Sequence, residues 1–269
     1  HGYLLIHYND STKSTLGGTA KIRLDGGGVA LYGNDVLDKA IEVGAKGGWL
    51  LGRAAGNEYS GNISGAGNMT LVSHWSGDVL TFSGSMTLGD YTGQDENGAA
   101  TTAKSNLVKK GDSVVYITGA DNNINISGGV IAEAGQLVFQ NQQNLLHSLT
   151  VNGSSTVTLE KNATIGSLTL NTGTLVVGTD DAAAAVSFTD TAARTGNNGA
   201  TRKVTLKSGS AVTDAAYWQL TGGSLTLEGA GTYTIAGMGL SANAAQATTL
   251  NVEQGVHLHV TGTANDAGK

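Results

Sequence analysis

Ser148-Leu149-Thr150-Val151-Asn152-Gly153 is followed by Thr156-Val157-Thr158-Leu159, then by Gly166-Ser167-Leu168-Thr169-Leu170-Asn171 and Gly173-Thr174-Leu175-Val176-Val177-Gly178. Each run puts Leu, Val or Ile on one side and Thr, Ser or charge on the other, the period-two pattern of a half-buried strand. The pattern returns at Val204-Thr205-Leu206, Gly223-Ser224-Leu225-Thr226-Leu227-Glu228-Gly229, Leu250-Asn251-Val252 and Val256-His257-Leu258-His259-Val260. A strand this short cannot bury its apolar side alone, so the runs must stack on one another.

The apolar pairs at 149/151, 157/159, 168/170 and 175/177 are separated by 8, 11 and 7 residues. Turns at that spacing fit a sandwich, a barrel or a parallel β-solenoid. A sandwich expects hairpin turns of the Asn-Gly kind. Asn152-Gly153 and Asn97-Gly98 are present, yet most junctions are single Gly or Asn corners. Such corners turn the chain onto a next face. Three strands then make a coil of roughly 20–27 residues, and about ten to twelve coils fit the chain, stacked ~4.8 Å apart.

Composition agrees. Of 269 residues, 39% are hydrophobic and only 13% charged. A disordered chain is normally rich in charge, so low charge with regular alternation indicates an ordered fold. The 41 Gly suit thin strands joined by tight corners, and the absence of Pro suits a chain whose backbone donors are committed to ladders. With no Cys, disulfides, thiol catalysis and cysteine-bound metals are excluded. The net charge of -6, with no basic stripe, argues against nucleic-acid binding. No apolar stretch approaches the ~20 residues of a membrane-spanning helix. The chain begins at His1 and ends at Lys269. We read it as a mature protein or a fragment, one solenoid domain over residues 1–269 of a longer surface protein.

Residues 35–43 read either as a short helix capped by Asp35 or as a strand ending at Gly44; the neighbouring strands favour the strand. The polar stretches 93–112 and 178–201 are expected to be projecting loops, and 238–248 a single helical turn.

Between Asn62 and Gly93 the order is Ile63-Ser64-Gly65-Ala66-Gly67-Asn68-Met69-Thr70, a short gap, Leu80-Thr81-Phe82-Ser83-Gly84, and later Tyr91-Thr92-Gly93. This order resembles the autotransporter-associated β-strand repeat of bacterial passenger regions. Residues 36–50 are similar to the lead-in of such repeats, and 222–235 to a second copy; with 166–178 the resemblance spans about half the chain. It implies a right-handed parallel β-helix displayed outside the cell. It carries no shared catalytic residues, and the C-terminal translocator barrel is not within these residues.

Candidate sites follow from residue type. Aromatic side chains stack on sugar rings, which singles out His74-Trp75 beside a turn, Tyr217-Trp218 in a short strand, and Trp49 after a glycine pair; each also suits a solenoid core or corner. The acids Asp10, Asp25, Asp35, Asp38, Asp90, Asp95, Glu96, Glu133, Glu160 and Glu228 do not recur at coil spacing, as paired glycosidase carboxylates would. The oxygen-rich stretch 90–98 lacks the order of a calcium loop, and His257 and His259 lack further ligands, so no metal or cofactor is expected. Threonine pairs such as Thr156/Thr158 and Thr232/Thr234 do not recur evenly enough for an ice-binding array.

The expected function is a non-enzymatic bacterial cell-surface or secreted module, an adhesin or stalk binding host glycans or extracellular proteins. A carbohydrate-active β-helix enzyme is the second reading, and a segment that aids folding during secretion the third.

Overall fold

The computed structural model describes residues 2–6, 21–94, 100–195, 199–241 and 247–262. They form an all-β parallel solenoid of about 10 turns, with no helix among the described residues. The all-β stacked-coil architecture read from the alternation is the architecture found.

Each turn contributes to three ladders. The first contains Gly28–Leu31, Gly48–Gly52, Met69–Ser73, Leu107–Lys110 and Val130–Ala132, then the C-terminal halves of Gln143–Val151 and Ala163–Leu170. The second contains Asn57–Tyr59, Val79–Phe82, Val114–Ile117, Gln136–Phe139, Thr156–Leu159 and Gly173–Val177. The third begins with Ile22–Leu24, Ile41–Val43, Ile63–Ala66, Met86–Gly89 and Ile124–Ile126. Near the C-terminus single strands, Thr201–Thr221 and Gly223–Ser241, run round all three sides.

Register explains the uneven spacing of the sequence repeat. Leu149 and Val151 pair with Leu168 and Leu170 on the first ladder, while Val157 and Leu159 pair with Leu175 and Val177 on the second. Consecutive pairs along the chain therefore belong to alternate ladders. Inward side chains stack in columns, of which Leu80, Val115, Leu137, Val157, Leu175, Val204 and Leu227 make one, each completely or almost completely buried. Burying one such Leu or Val contributes roughly 1.5–3 kcal/mol, so the column is the main stabilising element.

Corners use asparagine as well as glycine. Asn68 Oδ1 accepts the Asn106 N–H at 2.8 Å, and Asn106 Oδ1 accepts the Gly129 N–H at 2.9 Å, so side-chain amides bond the backbone of the next turn. A deeper amide cluster joins Asn123, Asn141 and Gln143, each link 2.8–2.9 Å long. Gly173 shows why a corner needs glycine: its φ is +85°, and a Cβ there would lie 2.4 Å from the Ser155 carbonyl oxygen.

Four segments refine the sequence reading. Residues 35–43 are strands, Val36–Leu37 and Ile41–Val43, as favoured. The stretch 93–112 is only partly a projection. Tyr91–Gln94 and Ala100–Ala103 form an antiparallel hairpin, but Leu107–Lys110 is a core strand of the first ladder. The stretch 178–201 is not a loop, because Ala185–Phe188 belongs to the third ladder and Arg194–Thr195 pairs with Trp218–Gln219. Its small, polar composition hid Val186 and Phe188, which alternate inward. The expected helical turn at 238–248 is strand through Ser241, and residues 242–246 lie outside the described residues.

Candidate functional site

Trp75 sits at an outer corner just beyond the strand Met69–Ser73 and is 46% exposed. The Arg53 guanidinium lies 3.1 Å from the centre of the Trp75 ring and 4.5 Å from that of Tyr32, and its Nη1 donates to the Tyr32 hydroxyl at 2.5 Å. Tyr32, Arg53 and Trp75 come from three successive turns, so the cation–π contacts run along the solenoid axis. His74 meets Trp75 edge-on with ring centres 5.5 Å apart. Backbone bonds fix the corner: the Trp75 N–H donates to Asp78 Oδ2 at 3.0 Å, and the Ser73 hydroxyl donates to the Asp78 carbonyl at 3.1 Å.

Beside this corner a shallow groove of about 470 Å³ runs over three turns, lined among others by Asp78, Asp112, Tyr116 and Gln136. Asp78 and Asp112 lie on neighbouring turns because the hairpin inserted after Gly89 lengthens the chain between them without separating the strands Val79–Phe82 and Val114–Ile117. Such a groove presents the exposed Asp112 carboxylate and the half-buried Tyr116 ring together, groups of the kind that bind sugar hydroxyls and rings, while Asp78 is buried at its floor and bonded to the Trp75 N–H. Sequence reading missed both acids, since nothing local marks residues so far apart as neighbours.

The other aromatic candidates belong to the interior or to packing. Trp218 is 2% exposed, its Nε1–H donates to Asp214 Oδ2 at 2.9 Å, and it meets Tyr233 edge-on. A ring so enclosed cannot stack on a ligand at the surface. Tyr217 is half-buried on the adjacent strand register, with its hydroxyl over Gly239. Trp49 lies across Gly28, where a Cβ would fall 2.1 Å from the indole.

Most of the described acids singled out earlier serve local bonds. Glu133 pairs with Lys110 at 3.2 Å, Asp25 accepts the Lys46 N–H at 3.0 Å, and Asp90 is exposed. Glu228 accepts from the Thr205 hydroxyl at 2.7 Å and pairs with Lys203 at 3.1 Å; the Thr205 bond first, then Lys203, holds its carboxyl below the usual range. Asp10, Asp95 and Glu96 lie outside the described residues. His257 and His259 face outward opposite Thr232 and Thr234. No cluster of three metal-ligating side chains occurs among the described residues.

Of a second cluster the sequence reading singled out only Trp218. Where the first ladder passes Leu170 a cleft of about 240 Å³ opens, walled by Leu170, Asn171, Asp190, Arg194, Arg202 and Trp218. Arg194 donates to Asp214 from Nε at 3.3 Å and from Nη2 at 2.9 Å, and to Asp190 Oδ2 from Nη1 at 3.4 Å. Arg202 is 1% exposed, and burial lowers its pKa from the usual arginine value. The sequence did hold a signal. Arg202 shares strand parity with Val204 and Leu206, and Asp214 with Val212 and Trp218, so alternation alone points these charges inward.

The chain matches no family model, no curated protein and no solved structure. What stands from the resemblance is therefore its coarse implication, a parallel β-solenoid.

Proposed function

We propose that the chain is a non-enzymatic, passenger-type module of a bacterial cell-surface or secreted protein, an adhesin or stalk that binds extracellular glycans at the Trp75 corner. The observation that supports this reading is the exposed Trp75 ring stacked on Arg53, beside a groove holding Asp78, Asp112 and Tyr116. A ring already pinned by a guanidinium loses little rotamer freedom when a sugar stacks on it, which lowers the cost of binding. The length of the solenoid suits a rod that carries such a corner away from a surface. Export and passenger character rest on the repeat order of residues 62–93 and are part of the proposal.

The test is a glycan and matrix-protein array read with the purified chain and with Trp75→Ala. Binding by the parent that falls about tenfold or more in the variant supports the reading. Absence of binding across both arrays leaves a spacer role only.

Asp78 and Asp112 in one groove favour a second reading, a carbohydrate-active enzyme with acids on neighbouring turns. Release of reducing ends from a polysaccharide panel, abolished by Asp112→Asn, would establish it; inactivity across the panel would remove it.

A further inference from the structure

We propose that the two ends of the solenoid bind each other, so that copies of this chain stack head to tail into an open filament. The placement of the exposed apolar side chains points to it. Among the described residues seven large hydrophobic side chains are exposed; the flanks carry only Trp75 and Leu145, whereas Leu4, Leu5, Leu240, Val252 and Val260 lie on the first and last turns. Four of those five stand in line with core columns. Leu4 pairs with Val29, Leu240 with Leu220, Val252 with Leu227 and Val260 with Ile235, and each of these partners is 0–1% exposed. The four are exposed because the columns stop there. Ile22 on the first turn, and Met238, Leu250 and Leu258 on the last, are only partly covered for the same reason.

A second copy is the occupant these ends fit, because they present the two halves of the contact that joins each turn to the next. On the first side, Tyr3–Ile6 bonds Gly28–Leu31 and Gly237–Ser241 bonds Tyr217–Thr221; among the described residues each has a neighbouring strand on one flank only. On the third side the same holds for Ile22–Leu24 and Val256–Val260. Setting the N-terminal end of one copy on the C-terminal end of another continues both ladders in the parallel sense of the turn-to-turn pairing. It lays Leu4 and Ile6 over Met238 and Leu240, and Ile22 over the strand Val256–Val260, at the ladder spacing of ~4.8 Å. Free backbone groups gain partners and the ends of the apolar columns leave water. Two C-terminal ends brought together would instead run antiparallel. Charge agrees with the head-to-tail sense. Lys21 and Arg23 are exposed on the first turn, with Arg23 only within 3.9 Å of the solvated Glu42. The described residues of the last turn hold no Lys or Arg and a single acid, the exposed Glu253. A step along the axis does not close on itself, so the contact repeats as a filament.

The association is independent of the Trp75 corner, and its test separates the two. Sedimentation of the untagged chain is followed over about a hundredfold range of concentration, with electron microscopy of the largest species. The expected result is growth with concentration into unbranched rods one solenoid wide, unchanged by Trp75→Ala. Leu4→Glu blocks the N-terminal end and Leu240→Glu the C-terminal end, so each variant alone should self-associate at least about tenfold more weakly than the parent. Their mixture has one intact end of each kind and should stop at a one-to-one dimer. Should either variant fail to fold, amide exchange of the parent decides: protection of residues 3–6, 22–24, 237–241 and 256–260 should rise with protein concentration and that of the flanks should not. A parent that stays monomeric overturns the proposal, since the ends are then covered from within the chain or reserved for another protein. So does assembly of either folded variant like the parent, a mixture of the two that forms no dimer, or exchange at the ends that ignores concentration.

Discussion

Arg194 and Asp214, on adjacent turns, form a buried ion pair with Nη2 and Oδ1 2.9 Å apart, and the Asp214 side chain is fully shielded from water. The same carboxylate accepts the Trp218 indole N–H and the Ala216 backbone N–H, so one acid holds two strands and one aromatic ring. Tyr233 packs edge-on against that ring; burial first, and the Asp214 charge second, push its phenol well above the usual tyrosine value. Most of the core is columns of aliphatic side chains, so a polar change in this ion-paired cluster is expected to be costly.

Asp214→Ala removes the partner of a buried guanidinium and leaves the indole donor unbonded. The expected loss of stability is about 3–5 kcal/mol by urea denaturation. A blue shift or intensity change in tryptophan emission should accompany it. A loss below about 1 kcal/mol would mean that water reaches Arg194 and that the pair is not buried.

Lys109 is fully buried on the first ladder, with its Nζ donating to the carbonyls of Lys110, Gly111 and Ala134. Burial lowers its pKa from 10.5 to about 8, with Asp112 opposing that shift. The folded protein therefore gives up this proton more readily than the unfolded chain does. Below about pH 8 the cost of the buried ammonium is fully present; it is relieved as the pH rises from about 8 to 10.5. Measured against Lys109→Met, the parent should gain up to about 3 kcal/mol over that window. A stability difference that does not change with pH, or an Nζ titration near 10.5, would contradict this.

Gly173 and Gly89 form a matched pair. A Cβ at Gly173 meets the Ser155 carbonyl at 2.4 Å with φ at +85°, whereas at Gly89 the nearest atom is 3.9 Å away. Gly173→Ala should cost about 1–3 kcal/mol, and Gly89→Ala should be nearly neutral. Equal melting temperatures for the two variants would show that the corner at Gly173 is not left-handed.

Arg53→Ala should act on ligand affinity rather than on the fold. It removes the cation from the face of the exposed Trp75 ring and one hydrogen bond from the half-buried Tyr32 hydroxyl. Glycan binding, where detected, should weaken several-fold, with thermal stability changed by less than about 1 kcal/mol. Unchanged binding would separate the recognition surface from the stacked corner.

The strands were legible because period two survives even in runs of four residues. Their assignment to ladders was not, because alternate pairs belong to different faces, as Leu149 and Val157 do. The polar segment 178–201 misled through composition: Asp180, Asp181 and four alanines mask the inward parity of Val186 and Phe188. Trp75 as an exposed aromatic at a corner could be read locally, but its Arg53 partner could not, because the coil length that aligns them emerges only from register. Buried Lys109, Arg202 and Asp214 look like solvated charges when read by type and like core residues when read by parity. Their burial is possible because carbonyls and opposite charges from neighbouring turns meet them.

The parallel stacking of turns is tested most directly by disulfide trapping in this cysteine-free chain. Thr156 stands opposite Thr174, and Thr158 opposite Val176, at the inter-strand spacing of about 4.8 Å that a disulfide can span. Under mild oxidation the account predicts that Thr156→Cys links with Thr174→Cys, and Thr158→Cys with Val176→Cys. The exchanged pairs, 156 with 176 and 158 with 174, should remain reduced. Linking of the exchanged pairs instead would mean antiparallel neighbours and would contradict the solenoid.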